Sequence, residues 1–195
     1  MEIKDKIKTY YAKTRKDWRD WLYENHIIEK SVWLIMYHKD SKNASISYDD
    51  AVEEALCFGW IDSKPNKRDS ESFYLFFSRR KPKSNWSKSN RERAEKLINQ
   101  GLMTPAGQDL IDLAIKTGTW TTLENVQNSV IPDDLQAAFD KNSIAYNNFK
   151  AFPPSSKRII LEWILNAKKP ETRQQRINQT VELANKNIRA NHYRQ

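Results

Sequence analysis

Between Asp49 and Met103 the chain changes character four times in quick succession. DDAVEEALC is followed by FGWIDS, then SFYLFFSR, then the basic run RKPKSNWS, then the helical pattern KSNRERAEKLINQ. Few folds accept an acidic amphipathic helix that enters a Gly-Trp strand directly, followed by a strand made almost wholly of rings. Ser47 opens the helix: Ser-x-x-Asp over 47–50 forms a capping box, and Asp49, Asp50, Glu53 and Glu54 suit its positive end. Ala51, Val52, Ala55 and Leu56 supply its buried face. Gly59 is expected to provide a backbone angle or a close approach that a side chain forbids. Residues 72–79 carry rings on both sides, so both faces of that strand are expected to be covered, one by helices and the other by a neighbouring segment.

The flanking segments extend this pattern. Residues 13–25 place Trp18, Trp21 and Leu22 on one helical face, and 31–38 (SVWLIMYH) form a continuous apolar run suited to a buried strand. KPNKRDSES reads as a long hairpin connection. A helix over about 88–100 ends at Gly101, and Thr104-Pro105 opens another that Gly118 ends. Strand patterns stop after residue 80. TWTTLENVQNSV reads as a polar connection, and helices follow from Pro132, over 143–151, after Pro153-Pro154 through Ile159, Ile160, Trp163 and Ile164, and from Pro170 with Ile177, Val181 and Ala184 inward. The expected class is α+β: a small antiparallel sheet of about three strands packed with helices, then an all-helical C-terminal part. The parts are 1–122 and 123–195.

Composition removes several function classes. Cys57 is the one cysteine, so no intrachain disulfide forms, and the three histidines lie far apart with no zinc-ligand spacing, so no metal or cofactor is expected. No apolar run approaches the length of about 18 residues that a membrane span needs, and the N-terminal residues lack a secretory apolar stretch; the expected setting is the cytoplasm. No nucleophile elbow, Walker loop or dinucleotide fingerprint occurs. Charge is uneven: residues 64–93 carry ten basic and three acidic side chains, against a net charge of +8 for all 195 residues. A concentrated positive field attracts phosphates, nucleic acid or acidic surfaces, and a solvated basic loop accounts for the same count.

The candidate site lies in that segment. Arg79, Arg80 and Lys83 precede Trp86, with Ser87 and Asn90 at the following helix start, where free backbone N–H groups suit an anion. Trp60 and Asp62 share one strand face, and Asp62 is placed to meet Arg79 or Arg80. Trp86 either closes over a ligand or plugs the core. A second basic pair, Arg173 and Arg176, lies three residues apart on one helix face. Three functions stay open. The first is a non-enzymatic binding protein for an anionic ligand, an acidic protein or an envelope component. The second is a nucleic-acid binder stacking bases on Trp60, Phe76 and Trp86. The third is an enzyme using Asp62 beside Arg79. Oligomeric state is not legible. The acidic helix 49–54 weakens the first reading if its carboxylates face the basic loop.

ALCFGWIDS (55–63), FSRRKPKSNWSKSNRERAEKLINQGLMTPAG (77–107) and WILNAKKPETRQQRI (163–177) occur in that order. Together they resemble the YdeI/OmpD-associated family, also called bacteriocin-protection proteins. The resemblance implies a YdhG-like α+β front half and a helical OmpD-associated tail. It also implies a role in envelope stress or tolerance of antibacterial peptides. It carries no established chemistry onto any residue.

Overall fold

A computed structural model describes residues 2–192. It divides into two compact units, Met1–Thr121 and Thr122–Gln195. In the first, chain order gives β1 (Ile3–Lys4), β2 (Ile7–Tyr11), α1 (Arg15–Asn25), β3 (Ser31–Tyr37), α2 (Tyr48–Cys57), β4 (Trp60–Lys67), β5 (Ser72–Arg79), α3 (Lys88–Asn99) and α4 (Pro105–Thr117). The class is α+β, but the sheet has five strands in the order β1-β2-β3-β5-β4. It is mixed, since β2 runs parallel to β3 while the other pairs are antiparallel. The expectation of about three antiparallel strands is corrected on both counts. The extra strands are short and interrupted by lysines, and α1 is the crossover that makes a parallel β2–β3 pair geometrically accessible.

β4 also reaches further than expected, through Lys64, Pro65 and Asn66 to Lys67. It is an edge strand whose register shifts between Asp62 and Pro65, and such an irregularity is where a strand tolerates a residue with no N–H. The hairpin connection therefore shrinks to 68–71. There Asp69 Oδ1 accepts from the Ser72 and Glu71 amides at 2.7 and 2.8 Å.

One sheet face carries the main core. Trp18, Trp21 and Leu22 of α1, Val52, Ala55 and Leu56 of α2, and Ala94 and Leu97 of α3 pack with Leu34, Leu75, Phe77 and Trp60. The rings interlock: Trp18 stacks on Trp21 at 5.1 Å, and Trp21 meets Trp60 edge-on at 5.9 Å. Both buried indole N–H groups of Trp18 and Trp60 are used, donating to Ala51 O (3.0 Å) and His26 O (3.3 Å). The opposite face holds a smaller cluster of Trp33, Ile35 and Tyr74, with Lys4 Nζ 5.1 Å from the centroids of both Trp33 and Tyr74.

The junction of α2, β4 and α4 depends on two glycines. Gly59 takes φ +72°, and a Cβ there would lie 2.7 Å from Leu110 Cδ1 and 3.0 Å from the Ala106 carbonyl. Gly107 lets α4 cross directly over the carbonyl end of α2. Thr104 ties the same place, its amide and hydroxyl both donating to Cys57 O. Cys57 is fully buried, and burial pushes its thiol up to about 11.

The second unit is helical: α5 (Glu124–Gln127), α6 (Asp133–Phe139), α7 (Ser143–Ala151), α8 (Pro154–Leu165) and α9 (Pro170–Asn185). Leu135, Phe139, Phe149, Ile160, Ile164 and Ile177 form its core. Arg173 grips Asp134 with both ends of its fork, at 2.6 and 3.0 Å, tying α9 to α6.

That bond holds the Asp134 carboxyl below its usual range, with partial burial opposing. A depressed carboxylate stabilises above its unfolded pKa of about 3.9 and loses the contribution as pH falls through its folded value. Asp134→Asn is therefore expected to cost up to about 1 kcal/mol at pH 7, because the pair is partly exposed. In urea titrations followed by circular dichroism, wild type and variant should converge as pH falls through the lowered value of the Asp134 carboxyl. A gap that stays constant across pH would show that the bond's charge does not matter.

Candidate functional site

β5 delivers two arginines to the end of the sheet, and they go to different places. Arg79 Nε donates to Glu29 O at 2.8 Å and its Nη2 donates to Ile27 O, so its guanidinium fastens the turn between α1 and β3. Arg80 turns inward. Its amide donates to Gly59 O (2.9 Å), its guanidinium carbon lies 3.7 Å from the Trp86 ring centroid, and only 4% of the residue is exposed. Nη2 donates to Asn85 O at 2.5 Å, while Nε and Nη1, also buried, find no hydrogen-bond partner among the described residues.

Burial draws Arg80 down to about 10, and the charge of Asp62 opposes that shift. It therefore stays cationic at neutral pH. Asp62 itself accepts a 2.8 Å hydrogen bond from Tyr48, the first residue of α2. Burial, then that bond, pushes the Tyr48 phenol up to about 12, so Tyr48 remains a donor. Trp86 is 3% exposed and meets Trp120 at a tilt, with ring centroids 4.9 Å apart. Ser87 caps α3, its hydroxyl accepting from the Asn90 amide at 3.2 Å.

Of the residues singled out by sequence, Arg80 lies against the Trp86 ring, Ser87 and Asn90 form the adjoining cap of α3, and Asp62 bears on Arg80 through its charge. Trp60 is core, 1% exposed. Arg79 is committed elsewhere, and Lys83 stands exposed in the turn that follows β5. The cations do not share one open hollow, because Arg79 is drawn to carbonyls of the α1–β3 turn and Arg80 to the Trp86 face. The aromatic trio of the nucleic-acid reading is also dispersed: Trp60 and Trp86 are core, and Phe76 belongs to the cluster on the opposite sheet face. Arg173 is held by Asp134, and Arg176 donates to Trp163 O while lying 5.0 Å over the Trp163 ring.

The carboxylates of the acidic helix meet cations of α1 and α3, and one of those cations, Arg93, belongs to the basic segment 64–93, which they therefore neutralise in part. Glu54 binds Arg15 and Arg19, each at 2.6 Å, and Glu53 binds Arg15 at 2.9 Å and Lys96 at 2.8 Å. Asp50 binds Arg15 at 2.8 Å and Asp49 binds Arg93 at 2.7 Å. The carboxylates of α2 thus neutralise α1 and α3, and none of these pairs reaches Arg80.

Sequence reasoning missed Tyr48 as the partner of Asp62. A tyrosine directly after an N-cap serine is the signal, since that position projects from the first turn. It also missed two surface hollows of about 570 and 550 Å³ that flank the His38–Phe73 ring pair, one beneath 38–48 and one beside 65–72. Among the described residues no group of three His, Cys, Asp or Glu is placed to hold a metal ion. Among the described residues no helix is long and apolar enough to cross a membrane.

Residues 10–110 match a family model described as a domain of unknown function, DUF8412, and residues 128–187 match one described as "Bacteriocin-protection, YdeI or OmpD-Associated". The phrase at 163–177 lies within the second match. No curated protein and no solved structure matches the chain.

Proposed function

From a chain that belongs to the DUF8412 family and carries a YdeI/OmpD-associated domain in its tail, we propose a non-enzymatic cytoplasmic binding protein that takes an oxyanion, phosphate or carboxylate, on Arg80. The observation that carries this is a charged guanidinium, stacked on an indole, with two nitrogens that bond to nothing among the described residues. Leaving such buried donors unmatched costs about 1–3 kcal/mol each, and an oxyanion accepting from Nε together with Nη2 beside it, once the Asn85 carbonyl has released Nη2, recovers part of that cost. Access requires the segment 81–85 to lift, since the Asn85 carbonyl holds the third nitrogen. Trp86 then acts as the rigid plate that keeps the guanidinium aimed, in place of a stacking surface for bases. A role in tolerance of antibacterial peptides is supported by the description of the tail's family. The cytoplasmic setting is supported by a lone, buried cysteine, which suits a reducing compartment.

The test is thermal unfolding of the full chain in phosphate and in chloride at equal, low ionic strength. Phosphate at a hundred times its Kd stabilises by about 2.7 kcal/mol. The same comparison on Arg80→Lys, which keeps the charge and loses the fork, should give a much smaller difference. Equal phosphate shifts in both proteins, or none in either, would sink the reading.

A further inference from the structure

The end of the sheet from which Arg79 reaches out also carries the most exposed apolar side chains of this unit. Tyr23, Ile27 and Ile28 are 75, 73 and 75% exposed, all within the last turn of α1 and the turn beyond it. An isoleucine exposed singly needs no explanation, but two in succession beside an exposed tyrosine make a contiguous apolar tip. The turn is not loose. His26 Nδ1 lies 2.9 Å from Leu22 O, Trp60 Nε1 donates to His26 O, and Arg79 donates to the carbonyls of Ile27 and Glu29. The Arg79 amide in turn donates to Lys30 O. The apolar tip is thus presented on a braced support.

Cations lie beside it in the chain and across the Arg79–Lys30 hydrogen bond. Lys30 ends the turn, Lys81 and Lys83 follow Arg79 by two and four residues, and all three are exposed or half-exposed. Lys8 is also present, paired with Glu29 at 2.5 Å, so Glu29 is already matched; Glu24 is the remaining acid on the turn. An apolar tip with exposed lysines on the adjoining segments matches one surface in both respects: an anionic bilayer, whose headgroups attract the lysines while the side chains enter the interfacial region.

We infer that the α1–β3 turn is a peripheral docking tip for anionic lipid membranes, with Ile27, Ile28 and Tyr23 inserting and Lys30, Lys81 and Lys83 contacting headgroups. The contact is interfacial, in keeping with the absence of a helix able to span a bilayer among the described residues. It is separate from the oxyanion site, because Arg80 points into the core.

The experiment is vesicle flotation of the full chain at low salt, with phosphatidylcholine vesicles with and without one quarter phosphatidylglycerol. Wild type should float with the anionic vesicles, stay behind with the neutral ones, and be released by salt. Ile27→Ser/Ile28→Ser, both surface changes, should lower the partition coefficient at least tenfold with unchanged circular dichroism. Lys81→Glu/Lys83→Glu should abolish flotation while leaving the fold intact, and Arg80→Lys should float like wild type. Failure of wild type to float overturns the inference, as does equal flotation on neutral vesicles or of the Ile27→Ser/Ile28→Ser protein. A concentration-dependent dimer removed by the isoleucine changes, with no flotation, overturns it too and assigns the tip to a second copy.

Discussion

Gly107→Ala is expected to destabilise the first unit by about 3 kcal/mol, lowering its melting temperature by roughly 10 °C. Propensity alone argues the other way, since alanine in a helix interior is favoured over glycine by about 1 kcal/mol. The geometry reverses the sign. A Cβ at Gly107 would sit 2.4 Å from Cys57 O and 2.7 Å from Leu56 O, and both are backbone atoms that no rotamer change can move. Met103 Sδ, at 2.5 Å, can swing away; the two carbonyls cannot without lifting α4 from α2. Gly101 is the control: it has φ +68° and nothing within 4 Å, so Gly101→Ala meets only the left-handed backbone penalty of about 1–2 kcal/mol. Urea denaturation of both variants separates the cases. A Gly107→Ala protein as stable as wild type would mean that α4 does not cross where the structure places it.

Glu54→Gln is expected to cost about 3 kcal/mol. Glu54 is 1% exposed, and its two oxygens hold Arg15 and Arg19, from successive turns of α1. Removing one partner of a buried ion pair leaves charge without compensation, which typically costs 3–5 kcal/mol. The lower end applies because the Arg15 and Arg19 side chains keep 34 and 32% exposure and recover some hydration. Arg19 also donates to Leu102 O and lies 5.4 Å over Phe58, so its displacement loosens the α1–α2 contact as a whole. The loss should persist at high salt, since buried pairs are poorly screened. Glu53→Gln is the comparison: one of its partners, Lys96, is 53% exposed, so the cost should be smaller and more salt-sensitive. Equal, salt-erased losses for both would show that Glu54 behaves as a surface charge.

The helices were legible because their signals are local. Ser47 does accept from the Asp50 amide, although the Asp50 carboxylate returns to the serine hydroxyl instead of to the backbone. Pro105 and Pro170 open their helices at the first position, and Trp18, Trp21 and Leu22 face the core. The sheet was less legible. β2 has only five residues, broken by Lys8, and its parallel pairing with β3 becomes visible only once α1 has closed the crossover. The polar segment KPNKRDSES reads as a connection from Lys64, yet its first four residues extend β4, because an edge strand with a register shift absorbs Pro65.

The site shows the limit more sharply. Arg79 and Arg80 are adjacent in sequence and counted as one patch. Their destinations are fixed by carbonyls at 27, 29 and 85 and by one indole, groups brought close only by the fold. A charge count along the chain sums cations that alternate across a strand, so it overstates any single surface. It did include Arg80 and Trp86, whose guanidinium and ring lie 3.7 Å apart.

The most direct measurement is the Nε–Hε resonance of Arg80 in a ¹H–¹⁵N spectrum of the full chain, followed as phosphate is added at low salt. An oxyanion on Nε and Nη2 requires that resonance to shift and saturate in step with the Trp86 indole signal, while the Arg79 resonance stays in place. If the Arg79 and Lys83 signals drift together without saturating and Arg80 does not move, the guanidinium is a structural brace, and its placement is no sign of a ligand.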